Sequence, residues 1–214
     1  MYSYEMARNL QSQVDLLTIF SNQAENFSDW NSLNCIKFPV STYNNVRSFL
    51  FSSLNFKKFF KIKRVVDEFS PDVIYFPFFH LWLPIFYILF PNFKKVFTLH
   101  DPVLHSGEKN IFVNWIQNYV ISRSDKVIIL STVFKKYLNS KGVDDKKIKV
   151  LPHGVFDHYF NNYAHNRKDE EKHVTTLLFF GRIFDYKGLD VVLEAFKRIE
   201  ENFPDVRLLT VGSG

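Results

Sequence analysis

The chain has 214 residues, 46% of them hydrophobic and 23% charged, which excludes a disordered, collagen-like or low-complexity protein and fits one large domain or one domain plus part of another. Its 27 basic and 22 acidic residues leave a net charge of +5, enough for a phosphorylated substrate or a membrane surface but without the dense basic stripe of a nucleic-acid binder. One cysteine, Cys35, excludes a disulfide framework and a cysteine zinc site and sets a reducing, cytoplasmic compartment as the default.

Met1-Tyr-Ser-Tyr-Glu5 lacks the charged and apolar regions of a secretory leader, and residues 4–11 read as the middle of a helix. Residues 14–20 (VDLLTIF) read as a buried strand and 35–40 as a short one. From 47 to 69, Phe49, Leu50, Leu54, Phe59, Ile62, Val66 and Phe69 recur at helical spacing with lysines between them, predicting one helix that stops at Ser70 because Pro71 disfavours helical geometry before it. Strand 73–76, helix 81–90 and strand 95–99 follow. The apolar run 73–90 nears the ~18 residues of a membrane span, but Pro77, Pro84 and a central His80 favour a buried strand-turn-helix.

Helix 110–122 leads to strand 126–130, and Ser131 is the expected N-cap of helix 133–141, which stops at Gly142. Strand 148–151 follows. Residues 161–173 (NNYAHNRKDEEKH) are polar and aperiodic and read as a linker between domains 1–160 and 174–214. Strand 175–180, helix 189–202 and strand 206–211 complete the chain. Strands alternating with helices at this spacing predict α/β domains with parallel sheets. All 7 glycines lie at or after Gly107, although a ligand-binding α/β domain usually has glycine in its first strand-to-helix turn. With a helix interior at one end and a strand-turn at the other, both domains are expected to be incomplete.

The strongest chemical constellation is Phe179-Phe-Gly181-Arg182-Ile-Phe-Asp-Tyr-Lys187-Gly188. A strand runs into a glycine and an arginine, and a Lys-Gly pair then opens a helix. Two cations and free backbone N–H groups beside a positive helix terminus suit a phosphate or diphosphate. The spacing is neither a Walker loop nor a dinucleotide fingerprint.

This stretch through Gly214, with Leu193-Glu194-Ala195-Phe196 on its helix and Val211-Gly-Ser-Gly214 at its end, resembles the start of the C-terminal domain of family-4 (group 1) glycosyltransferases of the GT-B fold. Upstream, Pro71-Asp72-Val73-Ile74, Thr98-Leu-His100-Asp101, Ser124-Asp125-Lys126-Val127-Ile128 with Ser131, and Lys149-Val-Leu-Pro152-His153-Gly154-Val155 fall in the family's order. His153 stands where asparagine is commoner. The resemblance implies two Rossmann-like domains, an acceptor-side one (1–160) and a nucleotide-sugar-binding one (174–214). It also implies transfer of a sugar from a nucleotide-sugar donor to an acceptor hydroxyl with retention, without an obligatory metal or other cofactor.

Carried over residue by residue, Arg182 and Lys187 would hold the donor diphosphate, with Gly181 and Gly188 shaping their loop. His100 would orient the reacting sugar or the acceptor through a hydrogen bond. Asp101, His153 and Gly154 are candidates for the substrate side; the alternatives are a turn started by Asp101 before Pro102 and a structural turn at the domain crossover for His153-Gly154. The family's first glycine turn would precede Met1 and its paired glutamates would follow Gly214, so the 214-residue chain alone is expected to be inactive or very weak. A non-catalytic scaffold and another GT-B enzyme, such as a sugar epimerase or phosphorylase, are the alternatives. His100 and His105 lack a spacing that would fix both rings on one metal ion, and Asp144-Asp145 reads as a solvated loop.

The basic, aromatic segment 47–64 has two readings: a helix with its Phe face in the core, or an interfacial helix on anionic lipid at the inner face of the cell membrane. The second would suit a lipid-linked acceptor; the resemblance implies a saccharide or lipid-linked acceptor in surface polysaccharide or glycolipid synthesis. No nucleic-acid partner is expected.

Overall fold

A computed structural model describes residues 1–103, 110–154 and 174–213. The chain divides into two compact units, the first within 1–160 and the second mainly 161–214. The linker reading at 161–173, His105 and Gly214 lie outside the described residues.

In the first unit, α1 (Tyr2–Leu10) precedes β1 (Leu17–Ser21) and β2 (Ile36–Val40), which pair in parallel as a small sheet of their own. The strands β3 (Val73–Phe76), β4 (Lys94–Leu99), β5 (Lys126–Ile129) and β6 (Ile148–Val150) form a second, four-stranded parallel sheet in chain order. Between β2 and β3 run α2 (Val46–Ser53) and α3 (Phe56–Phe69), and between the strands of the second sheet run α4 (Leu83–Leu89), α5 (Ile111–Arg123) and α6 (Val133–Ser140). Leu99 pairs with Ile129 and Ile129 with Val150, so these strands end together and the residues after them emerge along one carboxyl edge.

The central strands are buried. Phe97, Leu99, Val127 and Ile129 pack with Leu83 and Tyr87 of α4, Ile116 and Val120 of α5, and Leu138 of α6. A separate cluster joins Val40 to Phe59, Ile62 and Val66 of α3 and to Trp82 and Phe90 around α4. A third gathers Tyr4 and Ala7 of α1 with Trp30 and Leu33. The apolar run 73–90 is divided between β3 and α4, and no helix among the described residues is long and apolar enough to cross a membrane.

One local expectation is corrected and two are sharpened. The helix expected over 47–69 is two helices, because the Asn55 side chain accepts a hydrogen bond from the Lys58 N–H and starts α3 afresh. Their packing is also one-sided: Phe59, Ile62 and Val66 are buried, whereas Leu50 and Leu54 are exposed. At α6 the N-cap position falls one residue later than expected, at Thr132, which makes no side-chain cap, while the Ser131 hydroxyl accepts from Val133 N–H at 3.4 Å, the i+2 bond by which a serine caps a helix. Asp144-Asp145 is exposed, as expected of a solvated loop, but its carboxylates are tied. Asp144 caps a 3-10 turn through Lys146 N–H, and Asp145 ion-pairs with Lys135 at 3.0 Å.

The second unit holds β7 (Thr175–Phe180), a 3-10 turn (Asp185–Lys187), α7 (Leu189–Glu200) and β8 (Val206–Val211), with β7 and β8 parallel.

Candidate active site

Each unit carries candidate residues at the carboxyl ends of its parallel strands, where ligands of open α/β sheets bind. In the first unit, β3 ends at Pro77-Phe78, β4 at His100-Asp101, and β6 leads to His153-Gly154. His100 Nε2 lies 2.9 Å from the Pro77 carbonyl, which can only accept, so Nε2 carries the proton and Nδ1 is left as an acceptor. The imidazole stacks on Phe78 (4.3 Å between centroids, 2° between planes) and meets the ring of Tyr2 edge-on at 4.8 Å. Burial under these rings lowers its pKa below 6.5, and the nearby His153 acts in the same direction, outweighing the opposite effects of the Pro77 carbonyl and Asp101. His100 is therefore neutral at pH 7.

His153 is exposed, donates from Nδ1 to the Gly154 carbonyl at 2.8 Å, and sits 6.3 Å from the His100 ring and 5.3 Å from Tyr2. Asp101 is exposed, and its carbonyl accepts from Gln117 Nε2 at 3.5 Å. Beneath them, Tyr75 Oη joins Thr98 Oγ1 at 2.7 Å and Tyr2 Oη at 3.3 Å, tying α1 to β3 and β4. Burial raises the Tyr75 pKa, so this phenol stays protonated.

In the second unit, the turn after β7 lies against the end of β8. Gly181 N–H donates to Val211 carbonyl at 3.0 Å and Ile183 N–H to Ser213 carbonyl at 2.9 Å. Gly181 has φ +139°, a conformation that favours glycine, and a Cβ on Gly212 would lie 1.8 Å from the Gly181 carbonyl oxygen. Gly212 is therefore demanded by the crossing of the two loops, and Gly181 by its backbone angle, since a Cβ there would meet nothing within 4 Å. The exposed Arg182 guanidinium lies over Phe184 at 5.0 Å, and the exposed Lys187 ammonium over Tyr186 at 5.1 Å. Gly188, at φ +69°, begins α7 without a side-chain cap, leaving the first-turn N–H groups directed out of the helix end.

The structure thus brings His100, Asp101, His153 and Gly154 together in one unit, and Gly181, Arg182, Lys187 and Gly188 together in the other. Sequence reading missed Tyr2 and Phe78, which grip His100 and carry no local signal. It also missed the aromatic rests of the two cations. Gly212 was detectable, because its Gly-Ser-Gly context marks a tight turn.

The family model described as Glycosyltransferase Family 4 matches residues 1–157, and that described as Glycosyl transferases group 1 matches residues 162–214. The chain belongs to Glycosyltransferase Family 4. This Family 4 chain is 24% identical over 102 residues to an uncharacterized glycosyltransferase of Methanocaldococcus jannaschii, covering 46% of the chain but 26% of that protein.

Among solved structures, the Anabaena HepE protein in complex with UDP and glucose superposes with a TM-score of 0.66 at 15% identity, over 99% of this chain and 56% of its own. The UDP-GlcNAc 2-epimerase of Methanocaldococcus jannaschii gives a TM-score of 0.66 at 14% identity, over 97% of this chain and 60% of its own. These likenesses assign the α/β architecture to the GT-B type. The Family 4 chain spans little more than half of each of these structures.

Proposed function

We propose that the protein carrying this chain transfers a sugar, of hexosyl type, from a nucleotide-sugar donor to the hydroxyl of a saccharide or lipid-linked acceptor with retention of anomeric configuration, in surface polysaccharide or glycolipid synthesis at the cytoplasmic side. The observation that carries the reading is the Gly181–Gly188 loop, pinned to the end of β8 and presenting Arg182, Lys187 and the uncapped start of α7.

As the bond from the anomeric carbon to the diphosphate oxygen breaks, its electron pair moves onto the leaving diphosphate. Arg182 and Lys187 are the groups that neutralise this growing charge, so the reading needs no metal or other cofactor. Gly181 and Gly188 let the backbone approach the phosphates. His100, neutral and with Nε2–H engaged by Pro77, offers Nδ1 to a sugar hydroxyl, which makes it an orienting acceptor rather than a nucleophile. Asp101, His153 and Gly154 line the same substrate side.

The test uses the full-length protein and a panel of nucleotide-sugars, read by thermal shift and by product formation. Arg182→Ala and Lys187→Ala should each lower kcat/KM for transfer by about 10²–10³-fold, with melting temperature little changed because both side chains are exposed. Undiminished transfer by both variants would sink the proposal. Interconversion of the donor sugar without transfer would establish the epimerase alternative, and no donor binding would leave a scaffold.

A further inference from the structure

Between Asp29 and Asp67 the sequence has no Asp or Glu but seven Lys or Arg residues. Within that stretch, α2 has no buried residue, and α3 buries only the face of Phe59, Ile62 and Val66. The other side of the pair exposes large apolar side chains, with Phe51 77%, Leu54 66%, Phe56 64% and Phe60 65% accessible. A water-facing amphipathic helix carries polar residues there instead.

Arg47, Lys57 and Lys61 are exposed among these rings, and no carboxylate of the described residues forms an ion pair with them. One turn later the charge is cancelled, since Lys63 pairs with Asp67 and Arg64 with Glu68. The uncompensated Lys57 and Lys61 therefore accompany Phe56 and Phe60 in the first half of α3, and Arg47 lies one turn before Phe51 on α2. That surface is also held in place. Lys58 Nζ donates to the Ser41 carbonyl and to Ser52 Oγ and lies 4.9 Å over Trp82, whose indole N–H donates to Ser53 Oγ at 2.8 Å. Both helices are thereby fastened to the core from behind.

We propose that the outer face of α2 and α3 seats the protein on an anionic lipid bilayer, with Phe51, Leu54, Phe56 and Phe60 at the headgroup–acyl boundary and Arg47, Lys57 and Lys61 on lipid phosphates. Rings that enter hydrocarbon and cations at the level of the headgroups form the pattern of an interfacial helix. Each cation contributes on the order of 1 kcal/mol near an anionic surface. None of these residues is part of the donor-binding reading, so failure of either proposal leaves the other standing.

The experiment is flotation of the intact chain with vesicles of phosphatidylcholine plus phosphatidylglycerol, and with vesicles of phosphatidylcholine alone. Binding should require the anionic lipid and weaken with salt. Phe51→Ser/Phe60→Ser and Lys57→Gln/Lys61→Gln should each weaken it roughly tenfold or more, with unchanged far-UV circular dichroism. Lys136→Gln/Lys149→Gln, which removes equal charge from exposed positions elsewhere, should bind like the parent. Equal recovery with and without anionic lipid, or an equal loss in the Lys136/Lys149 control, would overturn the proposal. So would a lipid-free dimer dissolved by the phenylalanine changes, which would mean that a second copy covers this face.

Discussion

Gly212 shows how a single hydrogen in place of a methyl group shapes the second unit. With the Gly181 carbonyl where a Cβ would stand, Gly212→Ala must push the two loops apart and break the Gly181–Val211 or Ile183–Ser213 hydrogen bond. A loss of about 1–3 kcal/mol is expected from such overpacking, measured by chemical denaturation. His80 offers a second residue-scale prediction. Burial lowers its pKa from 6.5 to about 4, while its Nδ1 accepts the Trp82 N–H at 3.1 Å. Between those pH values the unfolded chain binds a proton that the folded chain refuses, so stability is full above about pH 6.5 and declines toward pH 4. The decline is roughly 2–3 kcal/mol. In His80→Asn, which keeps an acceptor for Trp82, the stability difference between pH 7 and pH 4.5 should shrink. An unchanged difference would clear His80 of the effect. The sequence announced His80 as an interruption in an apolar run, but not what it bonds to. Lys95 was illegible altogether: beside Lys94 it looks solvated, yet it is buried, donating to the Phe93 carbonyl at 2.7 Å.

Helix starts and stops were readable where a side chain announces them within a few residues. Asn110 caps α5 by accepting from Phe112 and Val113 N–H, and Gly142 ends α6 at φ +80°. At α2 the Asn45 side chain accepts from Ser48 N–H at 2.9 Å while Ser48 Oγ accepts from Asn45 N–H at 3.0 Å, a reciprocal capping box. Because α2 is held to the core only by partly buried side chains such as Phe49 and Ser53, Asn45→Ala should cost about 1 kcal/mol and fray the helix start. Faster amide exchange over residues 46–53 with α3 unaffected would be the signature. The break at Asn55 was missed because hydrophobic spacing continues through it; only the capping bond reveals the new start. The end of α3 is also unusual. Ser70 adopts φ +49°, in a half of the chain without glycine to take a left-handed cap at no steric cost.

Over the whole molecule, burial is concentrated in the first unit, where β4 and β5 lie between packed helices, while no described residue of the second unit is buried. Amide exchange in the intact chain should therefore be slowest in β4 and β5 and markedly faster in β7, β8 and α7. Uniform protection of both units would contradict this. By itself, the sequence determined the alternation of strands and helices, and so the parallel sheets. It also located the Gly-Arg and Lys-Gly corners that precede α7, because periodicity, caps and turn residues act over a few positions. Only the tertiary structure decided that Tyr2 and His153 meet His100, that Gly212 crosses Gly181, and that one side of α2 and α3 stays uncovered. Those outcomes depend on which distant segments pack together, and the spacing within any one segment does not specify its neighbour.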